Sequence, residues 1–192
     1  MLNLLLKRGL KNKLYLYMKL FTHIFVLFLL VGCKAKTTEL ITEQREFITT
    51  TNCPEDGECK VELFPNSSLE ILADKFNNTY TNTNKGDKII FKFTFSRNRD
   101  KMAVDGHYIE EIYAEFDKNL PDLTLVDGEL KNVKLLYNKM CYCKGVAGYY
   151  QIEKGTLKFK KADKKTYNIQ LDFKLDTIYQ VITSINETLI LD

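Results

Sequence analysis

Past the N-terminal segment, the side chains able to do chemistry are two cysteine pairs, one histidine, a carboxylate cluster and a Gly-rich run of tyrosines. Cys53 and Cys59 close the segment CPEDGEC, and Cys141 and Cys143 bracket Tyr142 in CYC. Four-cysteine zinc sites are usually built from C-x2-C knuckles, which these spacings do not supply. Thiol exchange usually relies on C-x-x-C at a helix N-terminus, where the thiol pKa is lowered, and CYC lacks that setting. In an exported chain an even set of four cysteines reads first as disulfides. On an extended strand Cys141 and Cys143 would share one face with Cα atoms about 6.6 Å apart, near the upper limit for a bridge. The expectation is therefore cross-pairing, with the Cys53–Cys59 loop stapled onto the Cys141–Cys143 strand; two local bridges are the alternative.

His107 is the sole histidine after residue 32. A Ser-His-Asp arrangement would have one candidate base, and no metal site built on two histidines can form within the chain. Glu110 and Glu111 follow it, but H-E-x-x-H is absent, and His107 reads as an exposed residue after the Asp105-Gly106 turn. Glu110, Glu111, Glu115 and Asp117 leave a glycosidase-type carboxylate pair open by composition. The chain has no tryptophan to line a sugar cleft, no G-x-S-x-G, no P-loop and no dinucleotide fingerprint. No catalytic residue, metal ligand or cofactor is assigned. Tyr142, Tyr149 and Tyr150, flanking Gly145 and Gly148, are packing residues first and a candidate partner-contact patch second. Lys158, Lys160, Lys161, Lys164 and Lys165 read as the solvated side of a hairpin, with contact to anionic envelope lipid or polysaccharide as the alternative.

The elements that must position these residues are strands. Tyr167, Ile169, Leu171, Phe173 and Leu175 alternate with Asn168, Gln170, Asp172 and Lys174, and Ile89, Phe91, Phe93 and Phe95 repeat the pattern. Shorter candidates cover 59–64, 69–74, 123–126, 130–136, 141–144, 148–153, 157–159, 178–184 and 188–191. His107–Asp117 fits helix and strand about equally and is assigned to strand. Asp56-Gly57, Lys85-Gly86, Asp105-Gly106, Asp127-Gly128 and Lys154-Gly155 supply the turns. The fold class is mainly β, an antiparallel sandwich or barrel-like domain over 52–192, after an N-terminal signal helix and a flexible tether.

The N-terminal segment explains the charge. The chain carries 28 Lys+Arg and 25 Asp+Glu. Lys7, Arg8, Lys11, Lys13 and Lys19 all precede residue 33, where no acid occurs, so residues 33–192 hold 23 basic and 25 acidic side chains. That body has no electrostatic footprint for nucleic acid. Leu20–Val31 is an apolar run preceded by basic residues and closed by Gly32 and Cys33, the pattern of a secretory signal and shorter than the roughly 20 residues of a membrane-spanning helix. Met18 is a candidate start, since Met18–Gly32 alone has the proportions of a short leader.

LLVGC resembles the lipobox of bacterial lipoproteins, with Leu30, Val31 and Gly32 leading into Cys33. The resemblance implies cleavage after Gly32, a thioether-linked diacylglyceryl group on Cys33 and acylation of the new amine. Several buried acyl chains make such an anchor practically permanent. The absence of Asp after Cys33 leans, within that family, toward the periplasmic face of the outer membrane. Residues 1–32 are thus the expected signal peptide and 33–51 the anchor and tether, with a reach of about 25 Å as a random coil. The layout of 53–192 is similar to the small β-rich lipoproteins of bacterial envelopes and brings no activity with it. The functional expectation is an envelope lipoprotein acting as a non-catalytic binding or structural module. A periplasmic inhibitor or immunity-type lipoprotein is the runner-up, and an Asp/Glu hydrolase is third. The expected partners are membrane lipid through Cys33 and an envelope protein or polysaccharide.

Overall fold

Alternating burial decides the architecture. A computed structural model describes residues 46–49, 52–98, 106–119, 122–163 and 165–190. In chain order the strands are β1 (Glu46–Thr49), β2 (Gly57–Ala73), β3 (Thr79–Arg97), β4 (Tyr108–Asp117) and β5 (Leu123–Val126). A 3₁₀ segment, Asp127–Val133, follows, and then β6 (Leu136–Cys141), β7 (Gly148–Gln151), β8 (Gly155–Lys161), β9 (Thr166–Phe173) and β10 (Ser184–Ile190). In β9 the residues Tyr167, Ile169, Leu171 and Phe173 are buried and the side chains between them are exposed. This is the period-two pattern that makes a sheet wet on one face.

The strands form a six-stranded sheet, β1-β2-β3-β4-β6-β7, and a four-stranded sheet, β10-β9-β8-β5. Every pairing is antiparallel. Neither sheet closes on itself, so the fold is a β-sandwich and not a barrel. Its core joins Phe91, Phe93, Ile112 and Phe116 of the larger sheet to Phe159, Ile169 and Leu171 of the smaller. Phe116 and Phe159 meet across the layers with ring centroids 4.7 Å apart.

The larger sheet also has a second, smaller apolar cluster, formed by Phe64, Leu69, Ile90, Tyr113 and Leu136 with Tyr149 beside it. These side chains alternate with those of the main core, so they lie on the outer face. A bulge near Pro65–Ser67 opposite Lys85–Lys88 makes the cluster possible, because it bends the β2–β3 hairpin. Asn66 takes φ 52°, and a Cβ on Gly86 would come within 2.6 Å of the Ser68 Cβ. Past the bend the arm folds back over the outer face. The Glu115 carboxylate accepts hydrogen bonds from the Leu69 N–H at 2.6 Å and the Ser68 hydroxyl at 3.3 Å. Lys134 Nζ joins Glu115 at 2.9 Å and the Leu69 carbonyl at 2.7 Å.

Several expectations change. Residues 59–64 and 69–74 belong almost entirely to one bent strand, and Lys85-Gly86 is part of the opposing bulge, not a turn. The strand expected at 130–136 is largely replaced by the 3₁₀ segment, which buries Leu130 and Val133 at the i, i+3 spacing that falls on one face of such a helix. Residues 178–183 form a loop. The segment 33–51, expected to be tether throughout, contains β1, which pairs with Lys60–Leu63. His107–Asp117 is a strand from Tyr108 onward, as assigned. No helix among the described residues is long and apolar enough to cross a membrane. Met18, Gly32 and Cys33 lie outside the described residues.

Because Leu69 is the arm's fully buried contact, Leu69→Ala is expected to lower stability by about 3 kcal/mol in urea unfolding. A loss under about 1 kcal/mol would show that the arm does not pack on the sheet.

Candidate functional site

The register of the larger sheet gathers distant residues at one end of the sandwich. Cys59, Phe95, Glu110 and Lys139 form one transverse row, and past it Gly57 pairs with Arg97 and Tyr108 with Cys141. Both cysteine pairs therefore reach the same end. They are disulfide-capable locally: the Cα atoms of Cys53 and Cys59 are 5.5 Å apart, and those of Cys141 and Cys143 are 5.2 Å apart. The expected cross-pairing is corrected. Cys59 on β2 and Cys141 on β6 are separated by β3 and β4, about 14 Å at the usual strand spacing and far beyond the reach of a disulfide. Cys141 and Cys143 come within bridging distance because β6 ends at Cys141 and the chain bends at Tyr142.

A buried carboxylate holds the opposite sheet's loop against this end. Glu110 has no solvent exposure, and its oxygens accept the N–H groups of Val181 and Ile182 at 2.7 and 2.8 Å and the Tyr108 hydroxyl at 2.5 Å. Lys139, its register partner, is also buried and donates to the Tyr179 carbonyl at 2.5 Å. Gln180 completes the anchorage by accepting from Leu175 N–H at 2.6 Å and donating to the Ile182 carbonyl at 2.7 Å. Arg97 pairs with Asp56 at 2.8 Å and lies 4.4 Å from the Tyr108 ring centroid. Burial, then the bond to Glu110, pushes the Tyr108 phenol's pKa up. Burial and the Glu110 charge do the same to Tyr137. Together these bonds clasp the 174–183 loop to the end of the larger sheet.

Glu111 belongs to a separate cluster on the outer face. It pairs with Lys92 at 2.7 Å and accepts from Tyr113 Oη at 2.8 Å and Asn138 Nδ2 at 2.9 Å. Burial alone would raise its pKa, but the bonds from Lys92, Asn138 and Tyr113 outweigh it and hold the carboxyl below its ordinary range. Glu110 and Glu111 thus face opposite sides of the sheet and do not form a carboxylate pair.

The three candidate tyrosines do not form one patch. Tyr142 is 87% exposed at the cysteine end. Tyr149 and Tyr150 are neighbours on β7 and point to opposite faces. Tyr149 packs by Tyr113 and bonds Thr81 at 3.2 Å, whereas Tyr150 packs by Tyr137 and donates to the Val146 carbonyl at 3.1 Å. A second exposed aromatic at this end is Tyr179, 73% exposed on the Glu110-tied loop. Nothing local in the sequence marks it, because Ile178–Ser184 resembles a strand, in which Tyr179 would be one face of a pleat. His107 is exposed, as are Lys158, Lys160, Lys161 and Lys165. Lys164 lies outside the described residues.

Among the described residues no group of three or more His, Cys, Asp or Glu side chains is placed to hold a metal. The described residues line open pockets at two places. One of about 500 Å³ is lined by Cys141, Tyr142, Cys143 and Lys144, and one of about 580 Å³ by residues including Asp127, Lys131, Gln151 and Lys154. No protein-family model matches the chain, and no curated protein or solved structure is similar to it.

Glu110→Gln puts an NH2 group where three donors converge, so it should cost about 3 kcal/mol of stability and speed amide exchange at Val181 and Ile182. Unchanged stability and exchange would return Glu110 to the catalytic candidates. For Glu111, a folded pKa below the unfolded value means its contribution is present above the unfolded carboxyl pKa of about 4.3 and is lost as pH falls. Glu111→Gln should therefore destabilise at pH 7, and the gap from the parent should close below about pH 4 in paired denaturation curves. A gap that widened on acidification would contradict the cluster's charge assignment.

Proposed function

We propose that the chain is a bacterial envelope lipoprotein, anchored through acylated Cys33 at the periplasmic face of the outer membrane, whose sandwich is a non-catalytic binding module. The lipobox LLVGC carries the anchoring half of this reading. The binding half rests on the cysteine end, where Tyr142 stands exposed and Tyr179 stands exposed on a loop held in place from within. Tyrosine suits such a role, because it offers a large amphipathic contact with little conformational entropy to lose. In an oxidising compartment both local cysteine pairs are disulfides. The contacting partner is an envelope protein.

A second reading has support from one observation. The 174–183 loop is pinned at Leu175, Val181 and Ile182 and raises Tyr179 into solvent, the preorganised geometry that an inhibitor or immunity-type lipoprotein needs to block an enzyme or toxin. A hydrolase has less support, since Glu110 is fully engaged and Glu111 faces away from it.

The anchoring half is tested by the intact mass of protein made in a bacterium with its own leader and recovered from membranes. The expected species begins at Cys33, carries acyl chains and shows four thiols only after reduction. An unprocessed chain with free thiols would remove the lipoprotein reading. For the binding half, a photo-crosslinker at Tyr142 or Tyr179 should trap one protein in the envelope that the same probe at exposed Ile190 does not. Equal labelling from all three positions would argue against a contact at the cysteine end.

A further inference from the structure

The two cysteine pairs are held very differently. Cys53 and Cys59 stand six residues apart and pack against the main core, with Cys59 inside β2 opposite Phe95. Their loop is fixed without the sulfurs. Gly57 N–H donates to the Pro54 carbonyl at 3.1 Å, Asn98 N–H donates to the Asp56 carbonyl at 2.8 Å, and Asp56 pairs with Arg97. Cys141 and Cys143 stand two residues apart and do not join that core. They line the open pocket of about 500 Å³ with exposed Tyr142 and Lys144, just before Gly145 and Gly148 at φ 78° and 136°.

This placement leaves little to hold the second bridge closed. In an extended strand, Cα atoms two residues apart lie about 6.6 Å from one another, and here they are drawn to 5.2 Å. Closing the bridge thus requires the chain to leave β6 after Cys141, and opening it disturbs no core contact. A bridge that closes so short a loop removes little entropy from the unfolded chain, whereas the six-residue separation of the other pair removes more. All four cysteines are partly exposed, but Cys141 and Cys143 line an open pocket where Cys53 and Cys59 pack against the core, and bridges open to solvent have more oxidising potentials than shielded ones. Lys144 follows Cys143 in the chain and lines the same pocket.

We infer that Cys141 and Cys143 form an exchangeable redox pair that passes disulfides to and from accessible dithiols on extended peptide segments, while Cys53–Cys59 is a permanent staple. The inference does not rest on the anchoring or binding readings. In the oxidising direction a substrate thiolate attacks one sulfur of the Cys141–Cys143 bond, which breaks as a mixed disulfide forms. The substrate's second thiolate then attacks its own sulfur in that mixed disulfide and displaces the protein sulfur. The substrate dithiol loses two electrons and two protons and becomes a disulfide. Cys141 and Cys143 gain both, the protons arriving through solvent, and the reverse sequence reduces a substrate disulfide. C-x-x-C at a helix terminus is one way to reach such a poise, and a short, core-free C-x-C loop beside a lysine is another.

The full-length protein is equilibrated in glutathione buffers of graded ratio, quenched by alkylation and mapped by peptide mass. Cys141–Cys143 should be half-reduced at a ratio of squared glutathione to glutathione disulfide at least about tenfold lower than Cys53–Cys59 needs, a separation of about 30 mV. Reduction of both pairs at one ratio, or greater resistance of Cys141–Cys143, would overturn the inference. As a second measurement, oxidised protein should convert a reduced dithiol peptide to its disulfide in one-to-one stoichiometry. The Cys141→Ser/Cys143→Ser variant, checked for an unchanged circular dichroism spectrum, should not. Conversion by that variant would likewise overturn it.

Discussion

The rest of the structure depends on the burial of β3 from both sides. Ile90 and Phe91 are sequence neighbours, point to opposite faces and each have 0% exposure. The inward face is covered by the second sheet, as in any sandwich. Among the described residues no second sheet covers the outward face, and the chain's own β2–β3 hairpin does so. That single requirement accounts for the bulge, for Asn66 in the left-handed region and for the convergence of Leu69, Ser68 and Lys134 on Glu115. It also explains the length of β2 and β3. A 17-residue and a 19-residue strand exceed the span of the sandwich, and the surplus becomes the cover.

The same sheet order fixes what can happen at the cysteine end. With β3 and β4 between β2 and β6, the two cysteine pairs share an end but never a bond. Each must find its partner locally, one within a tied loop and the other across a single residue. The difference in their surroundings is thus a product of topology, and it allows one pair to act as structure and the other as chemistry.

Much of the fold was legible in the sequence, because strands wet on one face advertise themselves. β9 and the core half of β3 could be read residue by residue from their alternation, and β4 from its neighbours. The errors have physical causes. Lys85-Gly86 carries turn chemistry, but a bulge in a long bent hairpin uses the same residues as a turn. Leu130, Val133, Leu135 and Leu136 are apolar enough for a strand, and only tertiary packing selects the 3₁₀ spacing for the first two. At the candidate site the cysteines were plain, but their pairing depended on strand order, which no local pattern encodes. Tyr149 and Tyr150 were grouped by proximity in sequence, whereas adjacency on a strand is what separates them. Tyr179 and the Glu110 clasp were hidden because a loop held by a distant carboxylate has no periodicity to read.

That clasp also shows why polar side chains are retained in the core's last row. Apolar residues at 110 and 139 would bury as well, without the cost of taking polar groups out of water. What they could not do is meet the N–H groups of Val181 and Ile182 and the carbonyl of Tyr179, three backbone groups that would otherwise lose their hydrogen bonds on the way out of water. An apolar row would leave the 174–183 loop free to choose among conformations. The Glu110–Lys139 row leaves it one, and that one presents Tyr179 at the same end as Tyr142. The interior of the sandwich is in this sense polar where its surface must be held still.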